Sequence, residues 1–264
     1  MNEVFTPGRL KEYEDWLLQR RLSWNTISTY MRTLQAVYNR LSPPGTPEHN
    51  PRLFDDVYTK VKSQIKRALT EEQMGRLMHA DLDVLSEELQ RVQAYFLLMF
   101  LFRGMPFIDL AHLRKRDVKD GKIAYRRHKT GKQITLRIPR EALPLLKEFK
   151  DKDETSLYLF PILNAAPEGD DALYECYQKA LRNFNKMLRV LAKRLLPGIK
   201  ISSYTARHTW ATLAYHIGMP IGIICQALGH SSIRVTETYL KPFENEKVDK
   251  ANRKLISVSY THLR

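Results

Sequence analysis

Hydrophobic residues in this chain recur at helical spacing along most of its length and switch to every second residue over one short stretch. Leu10, Tyr13 and Leu17 form one stripe, and Ile27, Tyr30, Leu34, Val37, Tyr38 and Leu41 form another. Steps of three and four residues stack side chains on one helix face, whereas steps of two alternate across a strand. The period falls to two at Ile123 and Tyr125, breaks at His128-Lys129-Thr130-Gly131-Lys132, and resumes at Ile134, Leu136 and Ile138. That is the pattern of a hairpin with a turn at its centre. The fold class expected is therefore mainly α (α+β), with one small antiparallel sheet.

Punctuation divides the chain. Ser42-Pro43-Pro44-Gly45-Thr46-Pro47 ends the second helix in a loop, and a short third helix is expected over 53–65. Residues 60–69 turn basic and lose the apolar stripe, as a linker does. Thr70-Glu71-Glu72-Gln73 then reads as a capping box that opens a new helix. Helices are expected over 71–78 and 87–102, the latter buried because Phe96, Leu97, Met99 and Phe100 crowd it, with Gly104 suited to the left-handed position after it. A long helix over 173–195 carries Leu173, Tyr177, Leu181, Phe184, Leu188 and Leu191 on one face and Lys179, Arg182, Lys186, Arg189 and Lys193 on another. The expected division is a small helical domain at 1–67, a mostly helical domain with the small sheet at 68–256, and a tail at 257–264. The closing Ser257-Val258-Ser259-Tyr260 run has the look of a translated sequencing adapter and is not expected to belong to the native fold.

Charge points to the partner. Of 264 residues, 43 are Lys or Arg against 29 Asp or Glu, a formal charge of +14. Such an excess favours a polyanion, because neutralising phosphates releases counterions. The sequence has no apolar run of membrane-spanning length, and its N-terminus lacks the apolar core of a secretory signal. Cys176 and Cys225 stand apart, without zinc-ligand spacing or a disulfide framework, so a reducing, cytoplasmic setting is expected.

The chemistry concentrates at 202–241. Tyr204, Arg207 and His208 open this stretch, Leu228-Gly229-His230-Ser231-Ser232 follows, and Thr238-Tyr239 closes it. Metal-free cleavage of a phosphodiester needs a nucleophile, charge on the phosphorus oxygens, an acid for the departing oxygen and help with the nucleophile's proton. A phenol supplies the first, and a planar guanidinium the second. Arg207 falls near the start of a helix expected over 205–216, where a phosphate also gains from the helix N-terminus. Arg103 stands at the end of an apolar helix, either available to an anion or paired internally with Asp109 or Asp117. Lys129, on the hairpin turn, has reach into a groove.

The ordered set resembles the tyrosine recombinases, or phage-type integrases, and within them the integrases of mobile elements. The matching pieces are Arg103-Gly104-Met105-Pro106-Phe107-Ile108-Asp109-Leu110, the Lys129-Thr130-Gly131-Lys132 hairpin, Ala206-Arg207-His208-Thr209-Trp210-Ala211-Thr212, the Leu228-Gly229-His230 segment, and Tyr239 nine residues beyond His230. The resemblance implies a small helical DNA-binding domain, core-binding and SAM-like, followed by a catalytic domain. It makes Tyr239 the nucleophile of a 3′-phosphotyrosyl bond, Arg103 and Arg207 the phosphate clamp, Lys129 the general acid and His230 a hydrogen-bonding assistant. Neither ATP nor a metal is implied, and no cofactor is expected. The partners implied are double-stranded DNA attachment sites, a homotetramer on synapsed DNA formed from monomers free in solution, and accessory DNA-bending proteins.

Two positions depart from the family pattern. Tyr204 stands where the family usually has histidine, three residues before Arg207, and a phenol is a poorer base at neutral pH. Pro106 occupies the position of an acidic residue expected three after Arg103, with Asp109 next in line for that supporting role. His208 is a full 100° from Arg207 on a helix and so supports the site instead of replacing Tyr204. The N-terminal segment matches only the later part of the family's core-binding domain, without an arm-binding module before it, so Met1 is read as an internal start or a truncation. A DNA-binding protein that has lost catalysis, and a type IB topoisomerase-like nicking and resealing enzyme, stay open as alternatives.

Overall fold

The computed structural model describes residues 5–60, 68–80, 85–164 and 169–243, with scattered positions between 245 and 256. The expected tail at 257–264 and most of the basic linker lie outside the described residues. Contacts gather the chain into two compact units, Met1–Ile65 and Lys66–Arg264.

In the first unit, Thr6 Oγ1 accepts from Arg9 N and Pro7 occupies the opening turn of helix α1 (Pro7–Gln19). Ser23 caps helix α2 (Trp24–Leu41) in the same way through Thr26 N. Leu10, Leu17, Ile27, Met31 and Tyr38 are buried together with Leu53, Phe54 and Val57. The first stripe also buries a charge. Glu14 accepts from the backbone N of Tyr58 at 2.6 Å and from Lys11 Nζ, which compensates its desolvation. In the second stripe Ile27 and Tyr38 turn inward, while Tyr30, Val37 and Leu41 face solvent. The helix expected over 53–65 is not present in its described part: residues 51–56 are turns. Tyr38 holds the preceding loop instead, donating to Glu48 O and accepting from Asn50 N.

The second unit opens with α3 (Glu71–Met78), whose capping box forms as expected: Thr70 Oγ1 accepts from Gln73 N and Gln73 Oε1 from Thr70 N. Its centre is α4 (Glu87–Leu101), buried continuously from Val92 to Met99 because it packs against α6 (Leu143–Phe149), α7 (Asp170–Leu195) and α8 (Ser203–His216). A helix apolar on all sides is a core helix. Removing a large side chain such as Phe96 or Phe102 from this core costs about 3–5 kcal/mol. Beyond α4 the chain reverses through two left-handed residues, Arg103 (φ 58°) and Gly104 (φ 67°), so glycine takes only the second of these positions.

Helix α5 (Phe107–Ala111) leads to the sheet, β1 (Val118–Lys119), β2 (Lys122–Arg126) and β3 (Gln133–Arg137), antiparallel in that order. Ile123 pairs with Leu136 and Tyr125 with Ile134, so the alternating apolar residues share the buried face. The turn closes where Arg127 N donates to Lys132 O and Gly131 N to Arg127 O. After α8 come α9 (Ile221–Leu228), ended by left-handed Gly229, and α10 (Ile233–Glu237). The mainly α architecture with one small antiparallel sheet is as expected. Among the described residues no helix is long and apolar enough to cross a membrane.

Candidate active site

Helix α8 starts two residues earlier than its sequence suggests. Ser202 N donates to Thr205 Oγ1 at 3.0 Å, and Ser203 N donates to Asn185 Oδ1 of α7 at 2.8 Å. These bonds satisfy amides at the helix start from within the protein and set Arg207 in the second turn, facing inward. The expected help of this N-terminus to a phosphate is correspondingly smaller.

Arg207 is 2% exposed and donates three ways: Nη1 to Gly104 O at 2.7 Å, and Nη2 to Leu228 O at 2.6 Å and His230 Nε2 at 2.9 Å. Gly104 is required on two counts, since its φ is positive and a Cβ there would lie 3.0 Å from Arg207 Cα. Burial, followed by the charge of Arg127, makes the Arg207 guanidinium less basic than usual.

His230 follows the left-handed Gly229. Its Nε2 faces a guanidinium donor and therefore accepts, which puts the ring proton on Nδ1, 2.9 Å from Thr236 Oγ1. Burial, then Arg207, Arg127 and Lys129, push its pKa down to about 3. The imidazole is a neutral support for Arg207.

Tyr239 follows α10 with its ring 4.9 Å from His230 and 4.7 Å from His208, centroid to centroid, and the Arg207 guanidinium carbon is 5.4 Å from its centre. Its carbonyl meets His208 Nδ1 at 3.2 Å and Thr212 Oγ1 at 3.3 Å, both on α8. His208 thus holds the tyrosine's backbone and does not stand in for Tyr204. Polar interaction with the Tyr239 side chain acts on the titration of both Tyr204 and Arg207. Tyr204 is half exposed, and burial first, then Tyr239, hold its phenol above the ordinary pKa.

A cleft of about 790 Å³ lies beside this group, lined in part by Pro106, Arg127, His128, Lys129, Arg189, Tyr204 and Arg207. Lys129 is exposed on the hairpin turn, as its position suggested. Arg103 is half-buried in its left-handed bend, and no hydrogen bond or ion pair joins it to another described residue. The internal pairings considered for it belong elsewhere. Asp109 accepts from His128 N at 2.9 Å and forms an ion pair with Arg127 at 3.4 Å, too poorly aligned to count as a hydrogen bond; Asp117 accepts from Arg114 N.

Arg127 is the residue that motif reading missed. It is 6% exposed and donates through Nη1 to Leu228 O at 2.9 Å, the same carbonyl that Arg207 uses. Strand parity carries the signal for it: Ile123, Tyr125 and Arg127 lie at successive inward positions of one strand and its extension.

The phage integrase family model matches residues 67–246, more than half of the chain. The chain belongs to the phage integrase family, the tyrosine recombinases. Among curated relatives, a tyrosine recombinase XerA of Pyrococcus furiosus is 28% identical over 248 residues, covering 90% of this chain and 79% of that one. A tyrosine recombinase of Thermosipho africanus is 23% identical over 226 residues, covering 85% and 74% respectively. Among solved structures, the Tn1549 transposon integrase in complex with transposon right end DNA superposes with a TM-score of 0.68 at 15% identity, covering 96% of this chain and 86% of that one. A lambda integrase tetramer bound to a Holliday junction superposes with a TM-score of 0.61 at 14% identity, covering 90% and 65%. At these identities the structural likeness concerns the fold of the recombinase. Of the residues that the family motifs single out, Lys129, Tyr204 and Arg207 line the cleft, His230 and Tyr239 stand against Arg207, and Arg103 is absent from the lining.

Proposed function

We propose that this recombinase cleaves and rejoins DNA through a 3′-phosphotyrosyl intermediate. The observation that carries the reading is the seat of Tyr239, its ring against His230 and His208 and the Arg207 guanidinium carbon 5.4 Å from its centre. The Tyr239 oxygen attacks phosphorus, the bond from phosphorus to the 5′ oxygen breaks, and Lys129 gives that oxygen its proton. Arg207 neutralises charge growing on the non-bridging oxygens. Tyr204 stands beside the nucleophile, and its hydroxyl oxygen takes the Tyr239 proton while its own proton passes to solvent. Arg103 stands in the bend after α4, outside the cleft lining, and neutral His230 keeps Arg207 aimed. A 5′ hydroxyl from another strand then reverses the chemistry and restores the phenol, so the reaction needs no external energy source.

The substrate reading is DNA at the attachment sites of a mobile element, integrated or excised. The Tn1549 integrase whose fold this chain shares is bound to transposon end DNA, and the basic face of α7 reaches the cleft through Arg189. The helical unit before the catalytic domain, 1–67, is read as the partial core-binding domain that grips the duplex. Assembly as a homotetramer on synapsed DNA, with accessory DNA-bending proteins, belongs to the same reading, as does a cytoplasmic setting. It draws support from the lambda integrase tetramer on a Holliday junction.

A nicked duplex that traps the covalent intermediate tests the chemistry. A protein–DNA adduct that forms with the native chain and is absent in Tyr239→Phe is the expected result. Shifted DNA with no adduct at any tyrosine would instead mark a binding protein of the same fold.

A further inference from the structure

Two guanidiniums converge on one atom here. Arg207 Nη2 and Arg127 Nη1 donate to Leu228 O at 2.6 and 2.9 Å, at the end of α9. Both side chains are more than nine-tenths buried, and both line the cleft that Tyr204 and Lys129 also border. Glycine is required behind each. Gly104 backs Arg207, and at Gly229 a Cβ would come within 2.9 Å of Arg127 Cδ and 2.8 Å of Ile134 Cδ1.

Charge in this place does not balance. The carboxylate paired with Arg127 is Asp109, at 3.4 Å, and burial raises the proton affinity of that carboxyl before His128 N and the arginines lower it. One weakened acid faces Arg127, Arg207 and the nearby Lys129. Two buried cations a few ångströms apart repel each other strongly unless an anion joins them. Arg103 is placed differently. It occupies the bend after α4, it is absent from the cleft lining, and its charge is felt at buried Tyr125.

We propose that Arg127, and not Arg103, is the second guanidinium on the scissile phosphate. The proposal rests on the strand-transfer reading above and names a phosphate ligand within it. Arg127 points inward from the residue just past β2 and offers the donors of a planar fork, while Arg207 offers its own from α8. A phosphodiester seated between them accepts from both and removes their mutual repulsion. The rival explanation makes Arg127 only a counter-ion for Asp109.

The test measures adduct formation on a nicked duplex made from the element's own end sequence, at saturating protein. Arg127→Gln is expected to slow the adduct by about 100-fold or more, the size seen when one transition-state donor is lost, while DNA affinity changes by less than about 3-fold. Arg103→Gln is expected to stay within about 3-fold of the native rate, since an indirect charge is partly screened. The double variant Asp109→Asn with Arg127→Gln separates the two explanations: it stays as slow as Arg127→Gln alone if the arginine binds phosphate, and recovers if the arginine only neutralised Asp109. A methylphosphonate at the scissile position, lacking one negative charge, should restore much of the lost rate in Arg127→Gln.

Recovery in the double variant would overturn the proposal, as would a 100-fold loss in a folded Arg103→Gln beside a near-native Arg127→Gln. Should Arg127→Gln fail to melt cooperatively, Arg127→Lys keeps the charge without the fork, and a loss of about 10-fold is then expected; a native rate would count against phosphate contact. If the native chain forms no adduct, or Tyr239→Phe still forms one, the strand-transfer reading itself fails.

Discussion

Arg207 Nη2 donates to His230 Nε2 at 2.9 Å, and this one hydrogen bond fixes the protonation of the pair. A protonated imidazole would present a hydrogen to a guanidinium hydrogen, so the folded state holds His230 neutral, with a pKa of about 3. An unfolded histidine titrates near 6.5. The unfolded chain therefore binds this proton first as pH falls. Stability from the pair is full above about 6.5 and drains away between about 6.5 and about 3. Thermal melting followed across that window should show the decline, and His230→Asn, which does not titrate, should flatten it. An unchanged slope in the variant would mean that other groups govern acid unfolding.

Tyr204 supplies a second pH signature. Its phenol is held above its ordinary pKa by burial and by Tyr239, so in the native chain it does not ionise near neutrality. Tyr204→His introduces a group that titrates near ~6.5. The cleavage rate of that variant should equal or exceed the native rate at pH 8 and should gain a new acid limb below about 6.5. Tyr204→Phe should slow cleavage by about 100-fold, the low end of the range for one acid–base group. A Phe variant at native rate would remove Tyr204 from the proton path.

Gly104 and Gly229 should tolerate substitution poorly, for reasons that differ. Gly104→Ala sets a Cβ 3.0 Å from backbone, the Cα of Arg207, and backbone cannot swing aside. Gly229→Ala meets the flexible ends of Ile134 and Arg127, which can move, but Arg127 then leaves its place. Each also strains a positive φ at about 1 kcal/mol or more. Chemical denaturation should show the larger stability loss for Gly104→Ala. Gly229→Ala should lose adduct formation out of proportion to its stability.

Arg103 shares that left-handed geometry at φ 58° without being glycine. Arg103→Gly relieves the conformation and should raise stability by up to about 1 kcal/mol, read as a higher melting temperature. A lower one would show that the side chain packs favourably enough to outweigh the strain.

The basic face of α7 predicts how DNA binding responds to salt. Lys179, Arg182, Lys186, Arg189 and Lys193 are all exposed. Each one that contacts a phosphate contributes about −0.9 to the slope of log affinity against log salt. Lys179→Ala with Lys186→Ala should weaken binding at low salt and flatten the slope by about two if both make contact. An unchanged slope would assign this face to solvent.

Much of the fold was legible in the sequence, because helical and strand periods are local properties. The stripes of α1 and α2, the capping box at Thr70, the hairpin at 123–138 and the long α7 all follow from residues within a turn or two of one another. The stretch 53–65 did not yield, since its apolar Leu53, Phe54 and Val57 are buried by packing in the first unit's core and not by a helix of their own. The early start of α8 escaped for a similar reason, being secured by Asn185 from a separate helix.

For the site, the order of Arg207, His230 and Tyr239 was written in the motifs. What only the tertiary structure decided is how the charges are shared. Asp109 turns to Arg127 and the hairpin backbone and leaves Arg103 without an ion pair among the described residues, while the Leu228 carbonyl gathers two guanidiniums from residues 101 and 21 positions away in sequence. Sequence spacing records which groups the chain owns. Which cation meets which anion depends on burial and on ångström-scale distance, since electrostatic energy in a buried site rises steeply as charges approach and water is excluded.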